Sequence, residues 1–221
     1  MYMRLRKIPF VEEKIQDMFG LVDVPMLTKC GGWDGIFEND KPIHLELGSG
    51  RGHFIIGMAK SRPEINFVGL ERVSSVIYSA LAANQKAPLG NLRFILDDVD
   101  RLEFYFGNHR IERIFLNFSD PWPKVRHAKR RLFHRKYLEI YRRILVGSGE
   151  IHMRTDNEDL FEYSLDELAT TRFSITGITK DLKPDNSQGV YIMTEYEMKY
   201  RDKGAAICGL VATSPKEERN D

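Results

Sequence analysis

Short apolar runs alternate with amphipathic segments from residue 43 onward, and this alternation limits the choice of fold more than any other feature. The runs that predict strands lie at 43–47, 66–70, 92–96, 113–118, 149–153, 174–179 and 206–212. The segments that predict helices lie at 53–60, 74–87, 102–106, 132–145 and 158–169. Because strands that alternate with helices favour parallel pairing, the sequence predicts a doubly wound, mostly parallel α/β sheet.

The chain is long enough for one sizeable α/β domain. It has 221 residues, of which 42% are hydrophobic, and this suffices for a continuous core. No internal repeat, low-complexity tract or Pro/Gly/Ser-rich linker interrupts it. The sequence predicts an N-terminal arm with short helices at residues 1–40, the domain itself at residues 41–215 and a short tail at residues 216–221.

Composition bears on the cellular compartment and on the presence of a metal site or a membrane span. The formal net charge of +1 says nothing about partners, because acids and bases nearly cancel. The two cysteines, Cys30 and Cys208, lack companions at metal-ligand spacing, which argues against a zinc site or a disulfide framework. The sequence shows neither a secretory signal nor a run of about eighteen apolar residues. We therefore predict a cytoplasmic protein with no metal centre and no membrane span.

A glycine-rich turn follows the first predicted strand and precedes the first predicted helix. It reads Gly48-Ser49-Gly50-Arg51-Gly52. Glycine at such a turn lets the chain bend tightly and lets a ligand lie against bare backbone. A plain strand-to-helix turn has the same composition, because Gly-x-Gly loops are weak signals on their own.

Acidic residues at the ends of the next two strands favour a nucleotide-like cofactor. Glu71 comes nineteen residues after Gly52, where an acid accepts hydrogen bonds from ribose hydroxyls. Asp98 follows the third strand, where a carboxylate accepts from an adenine amino group. The ordinary alternatives are a solvated acid at a helix start for Glu71 and a cap of the next segment for Asp98. Three successive strand ends with ligand-capable groups predict a cofactor site.

The same loop favours S-adenosylmethionine over a dinucleotide. Its third glycine comes one residue earlier than in the dinucleotide pattern Gly-x-Gly-x-x-Gly. Glu46 lies inside the first strand, two residues ahead of the glycines. A carboxylate there repels a pyrophosphate but attracts a sulfonium or an amino group. A nicotinamide dehydrogenase is therefore a disfavoured alternative.

The fourth predicted strand leads into a loop with chemistry of its own. The loop reads Asn117-Phe118-Ser119-Asp120-Pro121-Trp122-Pro123-Lys124, and it places Asp120 just past a strand's carboxyl end, where open α/β sheets bind ligands. Trp122 is suited to stack on an extruded base, or equally to anchor the loop by packing.

A block of positive charge follows that loop. Between Lys124 and Lys136 there are seven Lys or Arg and two His, with no acid. A charge run is usually a solvated face, but seven bases without an acid favour contact with RNA phosphates. The two halves together predict an enzyme that brings a nucleotide-like cofactor to a nucleic acid.

Five segments, taken together, resemble the bacterial tRNA (guanine-N7)-methyltransferases. They are Glu46 to Gly52, Asn117 to Lys124, Arg126 to Arg131, Thr155-Asp156-Asn157 and Thr194-Glu195-Tyr196-Glu197. All Rossmann-like methyltransferases share the glycine loop, whereas the Ser-Asp-Pro-Trp-Pro-Lys block and the terminal Thr-x-Tyr-Glu are far more specific to this family. Val125 departs from the pattern, which has a second basic residue after the lysine.

The resemblance implies a Rossmann-like methyltransferase fold, with a seven-stranded sheet and an antiparallel C-terminal strand. It implies methyl transfer from S-adenosylmethionine to N7 of the variable-loop guanine at tRNA position 46. The implied catalytic residue is Asp120. The implied cofactor-binding residues are Glu46, Gly48, Gly50, Gly52, Glu71, Asp98 and Asp120. The implied substrate-binding residues are Lys124, Asp156, Thr194, Glu195, Tyr196 and Glu197.

Simpler interpretations of these substrate residues stay open, as do other functions. Asp156-Asn157 before a helix is a natural N-cap, and Tyr196 and Glu197 fit the surface of a helix. An exocyclic-amine methyltransferase has an Asp-Pro-Pro-Trp loop that resembles Asp120-Pro121-Trp122-Pro123 in a different order. A second alternative is an RNA-binding subunit that keeps the fold without catalysis. The protein is predicted to be a monomer or a homodimer.

Overall fold

The strands form at the unbroken apolar runs of the sequence, because a parallel strand is buried on both of its faces. The computed structural model describes residues 8–107, 110–185 and 191–216. The strands are β1 (Ile43–Leu47), β2 (Asn66–Glu71), β3 (Leu92–Leu96), β4 (Ile111–Asn117), β5 (Leu145–Thr155), β6 (Ser174–Thr179) and β7 (Cys208–Thr213). The longer helices are α4 (His53–Ser61), α5 (Ser74–Lys86), α7 (Arg135–Ile144) and α8 (Glu158–Ala169).

Short helices complete the described elements. They are α1 (Val11–Ile15), α2 (Val24–Lys29), α3 (Trp33–Phe37), α6 (Leu102–Phe106) and α9 (Glu195–Arg201), with 3₁₀ helices at Val99–Arg101 and Val125–Arg130. The strand order of the seven-stranded sheet is β3-β2-β1-β4-β5-β7-β6. The chain divides into two compact units, the first ending at Arg101 and the second beginning at Leu102.

The first unit is built on three parallel strands. β1 pairs with β2, placing Glu46 opposite Gly69, and β2 pairs with β3. The described part of the predicted arm packs onto this unit: the Phe94 amide donates to the Gly20 carbonyl, and the Val22 amide donates to the Phe94 carbonyl, at 2.7 and 2.8 Å. The arm thereby extends the hydrogen bonding of β3.

The second unit mixes parallel and antiparallel pairing. β4 and β5 are parallel, whereas β7 runs antiparallel to both β5 and β6. The antiparallel C-terminal strand confirms the predicted fold class. The buried faces of α7 and α8 carry large side chains, among them Tyr141 and Phe161, which are fully buried.

The structure differs from the sequence prediction at several elements: β4 (Ile111–Asn117) and β7 (Cys208–Thr213) are each shifted by one or two residues from the predicted 113–118 and 206–212, and three larger differences have local causes. The helix predicted at 132–145 begins only at Arg135, because His134 is extended and its imidazole caps the helix by accepting from the Lys136 amide at 3.1 Å. The strand predicted at 149–153 is longer, from Leu145 to Thr155. Helix α9 was not predicted as a segment, because only seven residues form it and its apolar pattern is weak.

Two further properties follow from the described residues. Within 8–107, 110–185 and 191–216, no helix has the length and apolar character needed to cross a bilayer. The same residues contain no group of three or more His, Cys, Asp or Glu side chains arranged to hold a metal ion.

Candidate active site

The glycine turn after β1 is fixed by backbone hydrogen bonds within the first unit. The amides of Gly48 and Ser49 both donate to the Leu70 carbonyl at 2.8 and 3.0 Å. The Gly50 amide donates to Glu71 Oε2 at 3.1 Å. The turn therefore lies against the carboxyl end of β2, and Glu71 is part of what holds it there.

The three glycines of the turn serve different purposes. All have positive φ, +73° at Gly48, +60° at Gly50 and +81° at Gly52, a region that L side chains rarely adopt. A Cβ on Gly48 would meet no atom within 4 Å, and one on Gly50 only the Gly48 carbonyl at 3.9 Å. A Cβ on Gly52 would lie 2.7 Å from Ala80 Cβ. Gly48 and Gly50 thus border open space, whereas Gly52 permits close packing of α4 on α5.

Glu71 is a buried carboxylate that accepts three backbone hydrogen bonds. Besides the Gly50 amide on Oε2, the amides of Arg72 and Val73 donate to Oε1 at 2.9 and 3.0 Å. Burial raises the pKa of Glu71 above its usual value, and these backbone donors oppose the shift. A carboxylate has about four lone-pair sites, so Oε2 retains one for a ligand hydroxyl.

The other predicted acids of the first unit differ in exposure. Glu46 is buried within β1, with 3% of its surface exposed. Asp98 is half-buried, and its Oδ1 accepts from the Asp100 amide at 3.1 Å. Asp98 therefore does cap the 3₁₀ helix that follows, as the simpler interpretation held, and its contact with an adenine stays a prediction.

In the second unit, the loop after β4 has an unusual backbone. Phe118 has φ +52° and Trp122 has φ +41°, although neither is glycine. Such conformations are costly unless surrounding contacts enforce them, and they gather at functional sites. Asp120 lies between these two residues with its side chain exposed. The backbone thus holds a solvent-facing carboxylate past the end of β4.

Arg131 binds the backbone of this loop, so its guanidinium is engaged within the unit and is not directed at a phosphate. Its guanidinium donates to the carbonyls of Pro121 and Trp122 at 3.0 and 3.1 Å. The same group lies over the Tyr163 ring at 4.2 Å from the centroid. In the sequence Arg131 is one of several bases in the run, and its contacts with Pro121, Trp122 and Tyr163 arise only in the folded chain.

Trp122 is already engaged within the unit. Arg130 lies over its ring at 4.8 Å from the centroid, and the His127 ring meets it edge-on at 5.6 Å. These contacts favour the interpretation of Trp122 as a loop anchor, and base stacking by Trp122 stays a prediction.

The other basic residues of the run differ in their partners. Arg135 is exposed but paired, because it donates to Glu167 through its amide and its guanidinium, at 2.6 and 3.0 Å. Lys124, Arg126 and Lys129 are exposed on or beside the 3₁₀ helix Val125–Arg130. Three lysine and arginine side chains at the start of the run are therefore accessible to an anionic ligand.

At the end of β5, capping and exposure fall on different residues. Asn157 is the N-cap of α8, because its Oδ1 accepts from the Leu160 amide at 2.7 Å. Asp156 precedes it and is exposed. The capping interpretation of this pair is correct for Asn157, which leaves the Asp156 carboxylate available to a substrate.

The terminal Thr-x-Tyr-Glu segment forms the start of α9. Thr194 is its N-cap and accepts from the Glu197 amide at 2.9 Å. Glu195 and Tyr196 are exposed, whereas Glu197 has 0% exposure. The expectation that Glu197 lies on the helix surface is wrong, because Arg154 of β5 and Arg201 of α9 itself neutralise it in the interior. Of the four residues of this segment, only Glu195 and Tyr196 have side chains exposed enough to contact a substrate.

Comparisons with known proteins identify the family. A curated tRNA (guanine-N(7)-)-methyltransferase of Brevibacillus brevis is 44% identical over 205 residues, which is 93% of this chain and 95% of the relative. The family model described as "Putative methyltransferase" matches residues 40–210. The chain belongs to the tRNA (guanine-N7-)-methyltransferase family. It is an S-adenosylmethionine-dependent methyltransferase, as the resemblance implied.

Solved structures share the fold of this methyltransferase at low identity. A 16S rRNA methyltransferase, KamB, has a TM-score of 0.64 at 13% identity, covering 83% of this chain and 92% of its own. A 16S rRNA (adenine(1408)-N(1))-methyltransferase of Catenulisporales acidiphilia, solved with its cosubstrate SAM, has a TM-score of 0.62 at 15% identity, covering 90% and 94%. The Rossmann-like methyltransferase fold is thereby confirmed.

The first unit of the methyltransferase suits its cofactor chemically. The Ser49 hydroxyl is buried and meets no hydrogen-bond partner within the described ranges, and a buried hydroxyl of this kind calls for one. Beside it lie the open faces of Gly48 and Gly50 and the remaining acceptor site of Glu71. When bound, S-adenosylmethionine supplies the methyl group. Ser49, whose sequence position carries no signal for such a role, is an additional candidate for recognition of the cofactor.

Proposed function

We propose that this methyltransferase transfers the methyl group of S-adenosylmethionine to N7 of guanine 46 in the variable loop of tRNA. The observation that carries the proposal is the 44% identity, over almost the whole chain, to a tRNA (guanine-N(7)-)-methyltransferase. The exposed Asp120 on a constrained loop, with accessible bases directly after it, agrees with that activity.

The chemistry of guanine N7 matches the groups in the chain. N7 carries an in-plane lone pair and no proton, so its methylation requires no strong general base. The main task is to align N7 with the methyl group, and such positioning contributes up to about 7–11 kcal/mol in favourable cases. The second unit, which carries Asp120, therefore needs no buried acid–base pair to remove a proton from the guanine.

Asp120 is the proposed catalytic residue, and it also contributes to the cofactor site. Methylation at N7 gives the guanine ring a positive charge. A carboxylate next to the ring, or one that accepts from its N1 and N2 hydrogens, stabilises that charge as it develops. An exposed carboxylate whose backbone is held on both sides by constrained residues is suited to this task.

The proposed tRNA contacts follow the exposure of the side chains. Lys124, Asp156, Glu195 and Tyr196 are exposed and offer charge, hydrogen bonds and an aromatic face. Extruded bases of RNA loops are commonly recognised by stacking and by hydrogen bonds on their edges. Thr194 and Glu197 contribute by shaping α9. A cytoplasmic location, a monomeric or homodimeric state and a methyltransferase domain that spans residues 41–215 complete the proposal.

A substrate comparison tests the proposal. Labelled methyl transfer is measured with an unmodified tRNA transcript and with the same transcript carrying adenine in place of the variable-loop guanine. The proposal predicts incorporation into the first transcript and only background incorporation into the second. Equal labelling of both would move the target to another nucleotide. Cofactor binding without labelling of either would favour a non-catalytic RNA-binding protein.

A further inference from the structure

Helix α9 contacts the loop that carries Asp120 through stacked aromatic rings. Tyr196 and Tyr200 are one helical turn apart, so their side chains share a face of α9. Both stack on Phe118, with ring centroids 6.4 Å apart in each pair and interplanar angles of 19° and 3°. These separations lie in the range of favourable offset aromatic pairs. Phe118 is two residues before Asp120.

A second, buried contact joins α9 to the end of β5. The Glu197 carboxylate accepts from Arg154 at 3.2 Å and from the Arg201 Nε at 2.9 Å, and the Tyr191 hydroxyl also donates to it. Glu197 is fully buried, and the two arginine side chains are less than one-fifth exposed. Removing one partner from such a group leaves uncompensated buried charge, so this contact fixes α9 firmly.

A backbone hydrogen bond links the residues of the two contacts. The Phe118 amide donates to the carbonyl of Arg154 at 2.8 Å, and Arg154 is also the residue that pairs with Glu197. Phe118 holds a φ of +52°, which persists only where surrounding structure enforces it. Its amide and its ring are therefore both held, the first by β5 and the second by α9.

We propose that α9 positions the catalytic carboxylate, with Phe118, Tyr200 and Glu197 acting as positioning residues for Asp120. This inference rests on the proposed function, because it takes Asp120 as the group that acts on the guanine. The Thr-x-Tyr-Glu segment then serves two purposes at once. Its exposed residues face the tRNA, while its buried glutamate and the following tyrosine aim the loop after β4.

A positioning role predicts a specific kinetic signature. Phe118→Leu and Tyr200→Leu keep an apolar side chain but remove the stacked ring. Each is expected to lower kcat roughly 10- to 100-fold, the scale of a displacement near 1 Å at a reacting group. Their KM values for tRNA and cofactor should stay within about threefold. Tyr200→Phe retains the ring and should recover most of the loss.

A double variant tests whether the two residues act together. Phe118 stacks on both Tyr196 and Tyr200, so Tyr200→Leu removes one of the two ring contacts that Phe118→Leu removes. The double variant Phe118→Leu/Tyr200→Leu should therefore be no slower than Phe118→Leu alone. Tyr137→Leu is a matched control, because it removes another stacked pair, Tyr137 with Tyr141 at 6.5 Å, from α7. It should lower the melting temperature while leaving kcat unchanged. Losses that multiply in the double variant, or a kcat loss in the control, would overturn the inference.

Measurements in an Asp120 variant separate this inference from the proposed function. Asp120→Asn should be much slower than wild type, and adding Phe118→Leu to it should slow it no further, because the ring acts through the carboxylate. If Asp120→Asn turns over normally, the proposed role of Asp120 fails. If Asp120→Asn is slow but Phe118→Leu slows it by a further tenfold or more, the positioning inference alone fails.

Discussion

Glu71 is the residue that couples the backbone of the first unit to ligand chemistry. One buried carboxylate accepts from the amides of Gly50, Arg72 and Val73, so it fixes the glycine turn while keeping an acceptor site in reserve. The position of Glu71 at the end of β2 predicts ribose recognition alone. Its three backbone partners show that it also holds the glycine turn.

Glu71→Ala should therefore weaken cofactor binding by more than the loss of its one contact with the ligand would. Three amides lose their acceptor, and the turn with Gly50 loses its anchor. We expect the Kd for S-adenosylmethionine to rise about 10- to 100-fold, the range for hydrogen bonds to a charged group. Isothermal titration calorimetry measures this. Glu64→Ala, which removes an exposed acid of the same unit, is the control, and equal affinities in the two variants would contradict the account.

The fate of Glu197 shows what a sequence can and cannot reveal about a single residue. Its Thr-x-x-Glu spacing indicates the start of a helix, and Thr194 does cap α9. Burial of the carboxylate depends on Arg154, which lies 43 positions earlier and carries no local signal. Ser49 and Arg131 were likewise visible as residues, but their environments depend on contacts that only the fold provides.

Among elements, the 3₁₀ helix Val125–Arg130 carries the clearest candidate surface for RNA phosphates. Arg126 and Lys129 are exposed on it. Arg126→Glu/Lys129→Glu should raise KM for tRNA about tenfold and flatten its salt dependence, because about two phosphate contacts and their released counterions are lost. Steady-state kinetics at several salt concentrations measure both effects.

The control for that variant preserves the change in net charge. Lys60→Glu/Lys86→Glu alters two exposed lysines at the ends of α4 and α5 and should leave KM for tRNA near the wild-type value. A shift as large as that of Arg126→Glu/Lys129→Glu would show that net charge alone governs binding.

Arg131→Ala should lower kcat instead of raising KM for tRNA, because the Arg131 guanidinium donates to the carbonyls of Pro121 and Trp122 and so holds the loop after β4.

The pairing of β4 with β5 contains a pH-dependent contact. Glu150 Oε2 accepts from Arg113 at 2.7 Å and meets His152 Nε2 at 2.8 Å, and the hydrogen bond with His152 is the largest cause that lowers the pKa of Glu150 from 4.5 to about 2. The unfolded chain thus binds this proton at higher pH than the folded one. The stabilisation is complete above pH 4.5 and is lost as the pH falls towards 2.

Glu150→Gln should accordingly be less stable than wild type at pH 7, by about 1 kcal/mol after allowance for solvent screening of a partly exposed pair. The difference between the two unfolding free energies should shrink steadily below pH 4.5. Urea unfolding at pH 7, 4.5 and 3 measures it. A difference that stays constant across this range would show that Glu150 stabilises the strands by packing and not by charge.

Element boundaries were predictable where local pattern alone determines them. The strands Ile43–Leu47 and Leu92–Leu96 and the helix Glu158–Ala169 match their predicted limits, because apolar runs and a capping asparagine define them. The start of α7 was predicted three residues early, because Leu132 and Phe133 continue the apolar pattern of the helix. The extended backbone of His134 and its side-chain cap on the Lys136 amide are not visible in that pattern.

At the scale of the whole molecule, the fold does not decide the substrate. Methyltransferases of ribosomal RNA share it at 13–15% identity, and a shared fold alone does not transfer a function. The features that we propose to act on the tRNA are the constrained loop after β4, the accessible bases that follow it and the anchored start of α9. All three lie in the second unit, whereas the first unit carries the glycine turn and its acids.

The most direct test of the account is to locate the methyl group in the product. Unmodified tRNA transcript is incubated with the protein and S-adenosylmethionine, then treated with reduction and cleavage chemistry selective for N7-methylguanine. The account predicts one cleavage, at the variable-loop guanine, which disappears with Asp120→Ala although the protein still folds. Methylated tRNA that resists cleavage would contradict it, because the methyl group would then lie on another atom.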